Sequence, residues 1–259
     1  MSIRPTLDST SPALAASRGG KAPGEFPATE LKFLVSLSQA ERIEEWARKR
    51  LSGDPHADAD TGGYRVTTVY LDTPALDIFR RNPGFGTSKY RLRRYGLSSM
   101  AHAEHKAKEN GRVWKMRESV GAPVAQWPGS GYPTGLPGWF AQAVATAHLR
   151  PVCAISYARV ALLGDSASGP VRMTIDREAR ARCATDCSLQ PVTTDGSIGL
   201  LSDEVIVELK HLGSLPSLFK EMMSIFMLVS NGASKYRRAV TSLGLDATAV
   251  SSQRISYQY

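Results

Sequence analysis

The stretch "SKYRLRRYG", Ser88–Gly96, decides the fold. Written as a strand, it sets Lys89, Arg91 and Arg93 on one face and Tyr90, Leu92 and Arg94 on the other. Cations in a row on one face repel one another, so water or an anion must face them.

Neighbouring segments repeat the pattern. In "AEHKAK" (Ala103–Lys108), Glu104, Lys106 and Lys108 share a side. In "VWKMR" (Val113–Arg117), Lys115 and Arg117 lie opposite Trp114 and Met116. "SYARVAL" (Ser156–Leu162) aligns Tyr157, Arg159 and Ala161, and "VRMTIDR" (Val171–Arg177) aligns Arg172, Thr174 and Asp176. In "VIVELKHL" (Val205–Leu212), Glu208 and Lys210 oppose Val205, Val207 and Leu209; in "ELKF", Glu30 and Lys32 share a face. A half-buried antiparallel sheet with a solvated side produces such alternation in any one strand. A sheet closed into a barrel, with helices outside, gathers all the ionic faces around a lumen instead. Unpartnered buried cations are costly, so such a lumen must be wet and must receive a polyanion. Rows of Arg and Lys match a phosphate chain, and a divalent cation reconciles the interspersed carboxylates with it.

The remaining sequence frames this reading. The chain has 259 residues and a formal net charge of +8, which favours an anionic partner. Its three cysteines, Cys153, Cys183 and Cys187, form neither a disulfide framework nor a CxxC zinc pair and fit a reducing compartment. No apolar run is long enough to span a bilayer and the N-terminus lacks an apolar signal region, so the expected location is cytoplasmic. Residues 1–27 read as a disordered leader, 28–245 as the folded domain and 246–259 as a tail.

Strands are expected at 28–37, 64–73, 88–95, 101–108, 112–118, 152–163, 170–177 and 204–211. Asn110-Gly111 signals a hairpin. Helices are expected from Ser38 as N-cap, at 139–148, at 216–228, and at 234–243 with Gly244 as a left-handed terminator. Asp72 reads as a turn or cap residue. His56, His102, His105, His148 and His211 show no catalytic spacing.

"ELKF", "VYLDT", "KYRLRRYG", "EHKAKENGRVWKMR", "SYAR", "VRMTIDRE", "VIVELK" and "ASKYRR" follow in that order over about 29–241. Together they resemble the VTC domain, the polyphosphate polymerase branch of the triphosphate tunnel metalloenzymes (CYTH-like superfamily). The resemblance implies an α+β fold built on an eight-stranded antiparallel β-barrel, with helices packed outside. It implies ATP and inorganic polyphosphate as ligands and Mn²⁺ or Mg²⁺ as the metal. Carried over by position, the catalytic cations are Arg91, Arg93, Lys106, Arg159 and Arg172; the phosphate-binding residues are Lys32, Lys115, Ser234 and Lys235; and Glu208 is the metal ligand. Glu30, on the ionic face of its strand, is a second metal candidate, and Glu104 or Asp176 could assist.

The superfamily's opening Glu-x-Glu-x-Lys is reduced here, with Ala28 at its first position, and Gly232 stands where the eukaryotic relative has a lysine. Eukaryotic relatives act beside a membrane channel, which here would be a separate polypeptide. The activity implied is transfer of the γ-phosphoryl group of ATP to a polyphosphate chain. The alternatives are a metal-dependent triphosphatase or polyphosphatase, and a non-catalytic polyphosphate-binding module. Nucleic acid is disfavoured as a ligand because Tyr90 and Trp114 oppose the basic rows.

Overall fold

The structure is a computed structural model that describes residues 28–109, 112–121 and 135–247. The leader, most of the tail and the Asn110-Gly111 turn lie outside the described residues. The described residues form ten strands and five helices: β1 (Thr29–Ser36), α1 (Leu37–Arg48), β2 (Ser52–Gly53), β3 (Tyr64–Asp72), α2 (Asp77–Arg80), β4 (Lys89–Tyr95), β5 (Met100–Glu109), β6 (Arg112–Gly121), α3 (Gly138–Thr146), β7 (Arg150–Ser166), β8 (Gly169–Cys183), β9 (Ile198–Gly199), β10 (Glu204–His211), α4 (Ser217–Ile225) and α5 (Lys235–Ser242). The fold is α+β and antiparallel, as expected.

The eight long strands run in the order β1-β10-β8-β7-β3-β4-β5-β6, while β2 and β9 add short pairs to β7 and β8. Among the described residues no backbone ladder joins β6 back to β1. The wall therefore curls around its ionic face without closing through main-chain bonds. A side-chain bridge, Lys106 Nζ to Glu30 Oε2 at 2.6 Å, spans from β5 to β1. The register explains how ionic faces meet: Lys32 opposes Glu208, Glu208 opposes Thr174, and Arg91 opposes Glu104. Paired residues in a ladder share a face.

The apolar faces point outward and are covered by helices, so the hydrophobic core surrounds the lumen. Ala40, Ile43 and Ala47 of α1 and Phe219 and Met222 of α4 pack on Phe33, Met173, Ile175 and Val207. Phe140 and Val144 of α3 and Tyr236, Ala239 and Val240 of α5 pack with Tyr90, Leu92 and Ile155. Phe140 and Phe219 are fully buried, each contributing about 2–3 kcal/mol by transfer from water.

Some boundaries differ from the sequence expectation. The cap of α1 is Ser36, whose hydroxyl accepts from Gln39 N at 3.2 Å, rather than Ser38. Ser36 holds the extended backbone that an N-cap needs, because it still pairs with Glu204 as the last residue of β1. Helix α4 stops at Ile225 rather than 228. Met227 adopts φ +49°, while Leu228 N bonds to Met223 O and Met227 N to Ser224 O. That pair of bonds is a Schellman ending, made here without glycine. Gly244 takes the expected left-handed conformation, with φ +68°. No helix among the described residues is long and apolar enough to cross a membrane.

Candidate functional site

The ionic faces of all eight long strands converge on one cavity of about 190 Å³. One wall is strongly basic. Lys89, Arg91 and Arg93 come from β4, Lys106 from β5, and Lys115 and Arg117 from β6. Among the described residues this wall supplies one carboxylate between them, Glu104, which is 1% exposed. Arg91 Nε donates to its Oε2 at 2.7 Å, and Arg93, Lys115 and Arg117 lie at 3.9, 3.6 and 3.5 Å. Burial alone would push Glu104 up, but Arg91, Arg93 and Lys115 outweigh it and hold the carboxyl at about 2. Glu104 thus holds the basic row together while leaving it with surplus charge.

The opposite wall pairs its charges. Arg159 Nε and Nη2 donate to Asp176 Oδ1 and Oδ2 at 2.6 and 2.7 Å, and Lys235 Nζ donates to Oδ2 at 2.5 Å. Lys235 also lies 4.4 Å from the Tyr157 ring centroid, with the Arg159 guanidinium at 5.2 Å. Asp176 has its oxygens taken by these two cations, so it positions them. Lys32 Nζ lies 3.3 Å from Glu208 Oε2. Burial opposes ionisation of Glu208, yet Lys32 and Arg159 hold its carboxyl well below the usual carboxylate range. Arg172 donates to Asp54 Oδ2 at 3.0 Å and to Tyr64 Oη at 2.8 Å. Ser234 is the N-cap of α5, its hydroxyl accepting from Arg237 N.

The structure therefore brings Lys32, Arg91, Arg93, Lys106, Lys115, Arg159, Arg172, Ser234, Lys235, Glu30 and Glu208 around one space. Sequence reading left Lys89, Tyr70, Tyr157, Arg117, Thr174 and Lys210 unassigned, although all line the same cavity. Alternation alone signalled Lys89, Arg117 and Lys210. Tyr70 is opposed by burial, but Arg91, Arg93, Lys89 and Lys235 draw its hydroxyl down to about 8. Lys89 is pushed down to about 8 by burial and by Lys32, Arg91 and Lys106. Asp54, from the loop before β3, carried no sequence signal for its pairing with Arg172.

Asp72 caps the turn into α2, accepting from Thr73 N, Ile78 N and Phe79 N, and from the Tyr236 hydroxyl. His105 stacks on Tyr90 at 4.0 Å, outside the cavity lining. The cysteines are free thiols.

Two features fit a divalent cation completed by ligand oxygens. Among the described residues no three Asp, Glu, His or Cys side chains gather into a metal cage. Glu30 and Glu208 nonetheless present hard oxygen donors to the shared space, and Thr174, directly opposite Glu208, has a buried hydroxyl without a hydrogen-bond partner among the described residues. A Mg²⁺-type ion held by one or two carboxylates, with phosphate and water supplying the rest, needs such a site.

The family model described as the VTC domain matches residues 28–126 and 134–244. The chain belongs to the VTC domain family. No curated protein matches it by sequence. Among solved structures, a candidate adenylate cyclase from Bacillus halodurans is similar at 12% identity, covering 82% of this chain and 96% of that one, with a TM-score of 0.50. A Pyrococcus horikoshii protein is similar at 10% identity, over 83% and 98%, with a TM-score of 0.46. A Hippeastrum protein described as a candidate adenylyl cyclase with a dominant triphosphatase activity is similar at 14% identity, over 84% and 96%, with a TM-score of 0.47. The Bacillus halodurans likeness extends across nearly the whole of that chain and supports a shared fold. Within the VTC domain family, then, this chain presents a curled antiparallel wall whose bore is lined from eight strands.

Proposed function

We propose that the protein is a polyphosphate polymerase that transfers the γ-phosphoryl group of ATP to the end of a phosphate chain within this bore. The observation that carries the reading is the surplus of cations on the β4–β6 wall, where Lys89, Arg91, Arg93, Lys106, Lys115 and Arg117 meet, among the described residues, only Glu104 and, through Lys106, Glu30 of β1. That surplus suits a ligand with several negative charges along a line, gripped by guanidinium forks.

Arg91 and Arg93 hold the triphosphate, with Lys106 and Lys115 beside them on neighbouring strands. Arg159, fixed by Asp176, and Arg172, fixed by Asp54 and Tyr64, press from the other side. Lys32, Ser234 and Lys235 complete the grip near the start of α5. Glu208, with Glu30, would hold a divalent ion (Mn²⁺ or Mg²⁺), which when bound would supply positive charge to the phosphates.

Phosphoryl transfer asks for positioning and electrostatic stabilisation rather than a covalent nucleophile. A terminal phosphate oxygen of the chain attacks the γ-phosphorus, the bond from that phosphorus to the β,γ-bridging oxygen breaks, and ADP leaves with the electron pair. Atoms and charge balance without gain or loss of a proton, so the reaction calls for no side-chain base.

The test is incubation with ATP and Mn²⁺ or Mg²⁺, with products resolved by gel electrophoresis. Long anionic chains are the expected product. Free orthophosphate without chains replaces this reading with the triphosphatase one, and tight binding without turnover replaces it with a binding module.

A further inference from the structure

A second cavity, of about 380 Å³, adjoins the bore. The two share Glu30, Lys32, Lys89, Lys106, Ala233 and Ser234. Arg91, Arg93, Arg117, Arg159 and Arg172 line the bore alone, so this chamber lies off one end of it. Its far wall adds Arg81 and Arg237, with the hydroxyls of Ser88 and Ser230.

We propose that this chamber is the acceptor site, which takes the terminal phosphates of the inorganic chain that receives the transferred group. The inference rests on the polymerase reading and adds to it where the second substrate binds.

Three observations carry it. Lys89 and Lys106 stand directly opposite each other in the β4–β5 ladder, at the junction of the two cavities. Like charges at such positions are destabilising unless an anion spans them. Lys106 is paired with Glu30, whereas Lys89 has no carboxylate within ion-pair distance among the described residues. Second, the chamber wall stays basic away from the bore. Arg81 is exposed and makes no side-chain ion pair among the described residues, while Arg237 is held over the Phe79 ring and bonded to Phe79 O. Third, the chamber offers nothing for a nucleoside base to stack on. Tyr236, its one aromatic lining residue among those described, is 3% exposed and already stacked on Tyr70.

The chemistry of the step then orders the parts. An in-line transfer puts acceptor and leaving group on opposite sides of the moving phosphorus. With the acceptor entering from the chamber, the γ-phosphorus lies at the junction beside Lys89, Lys106 and Glu30. The nucleoside end points away, toward Tyr95 and Arg117.

The experiment titrates inorganic pyrophosphate into the full chain already saturated with a β,γ-imido analogue of ATP. The expected result is a second binding event that Arg81→Gln weakens by about tenfold, the scale of one lost charge-assisted contact. Affinity for the analogue, which reads the bore, should move by less than about twofold. One-for-one displacement of the analogue by pyrophosphate overturns the proposal, as does an Arg81→Gln protein that binds pyrophosphate unchanged. Should Arg81→Gln alter the fold, Ser230→Ala in the same wall is titrated against the same two criteria. Should the analogue fail to bind at all, the polymerase reading falls by itself. The chamber is then judged on Arg93→Ala protein, where retained Arg81-dependent pyrophosphate binding upholds it and loss of that binding overturns it.

Discussion

Across the bore, two walls made of the same residue types handle their charge differently. On β4–β6, many cations crowd one buried acid, Glu104. On β1, β10, β8 and β7, with Lys235 of α5 beside them, nearly every cation is matched to an acid: Lys32 with Glu208, Arg159 and Lys235 with a shared Asp176, Arg172 with Asp54. The first wall stores unspent attraction for an anion. The second is close to neutral and is held rigid by its pairs, which leaves it to carry carboxylates near phosphate without expelling it. The difference separates residues whose loss harms folding from residues whose loss harms binding.

The largest effect that would break this comparison is on the paired wall. Asp176→Ala leaves two buried cations without their partner and should cost about 3–5 kcal/mol of stability, read by denaturant unfolding. Next, Arg93→Ala on the surplus wall should weaken binding of a non-hydrolysable triphosphate by about 100-fold while leaving unfolding nearly unchanged, because the remaining cations still satisfy Glu104. If Arg93→Ala instead unfolds the chain and leaves affinity intact, the two walls do not differ as described.

Glu208→Gln removes a metal-facing carboxylate and should lower metal-dependent turnover by about tenfold or more, with triphosphate affinity changed only a few-fold. The calorimetric Kd and the rate at saturating metal separate the two.

Acid sharpens the contrast. The Glu104 carboxyl titrates near 4.5 in an ordinary setting and near 2 in the fold. Its stabilisation is therefore complete above about pH 4.5 and withdrawn as the pH falls toward 2. Glu104→Gln should remove that part of the acid limb from a stability-against-pH curve.

The smallest effect is at alkaline pH. Lys89 and Tyr70 both titrate near 8; above that, one loses positive charge and the other gains negative charge. Triphosphate affinity should fall a few-fold between about pH 7.5 and 9, and the double variant Lys89→Met with Tyr70→Phe should flatten the curve.

The sequence made the bore legible because strand backbones alternate with a period of two, a rule that tertiary packing leaves intact. Lys89, Arg91 and Arg93 share a face by that rule alone, and so do Glu208 and Lys210. Helix ends were less readable. Schellman endings at His148 and Met227 place left-handed backbone on residues that carry no glycine signal. Which acid meets which cation was least readable. Asp54 finds Arg172 across 118 positions of sequence, and Glu104 collects its cations from two neighbouring strands. Pairings of this kind depend on ladder register and loop path, which residue types do not encode locally.

One feature of the wall bears on how a polymer is handled. Seven of its seams are laced by backbone ladders; among the described residues no ladder joins β6 to β1, and an ammonium from Lys106 on β5 clasps Glu30 on β1. Ladders hold their spacing in salt; a part-exposed ion pair is screened by it. Salt should therefore weaken the clasp between β5 and β1 before it touches any ladder, and phosphates that compete for Lys106 act on that same clasp.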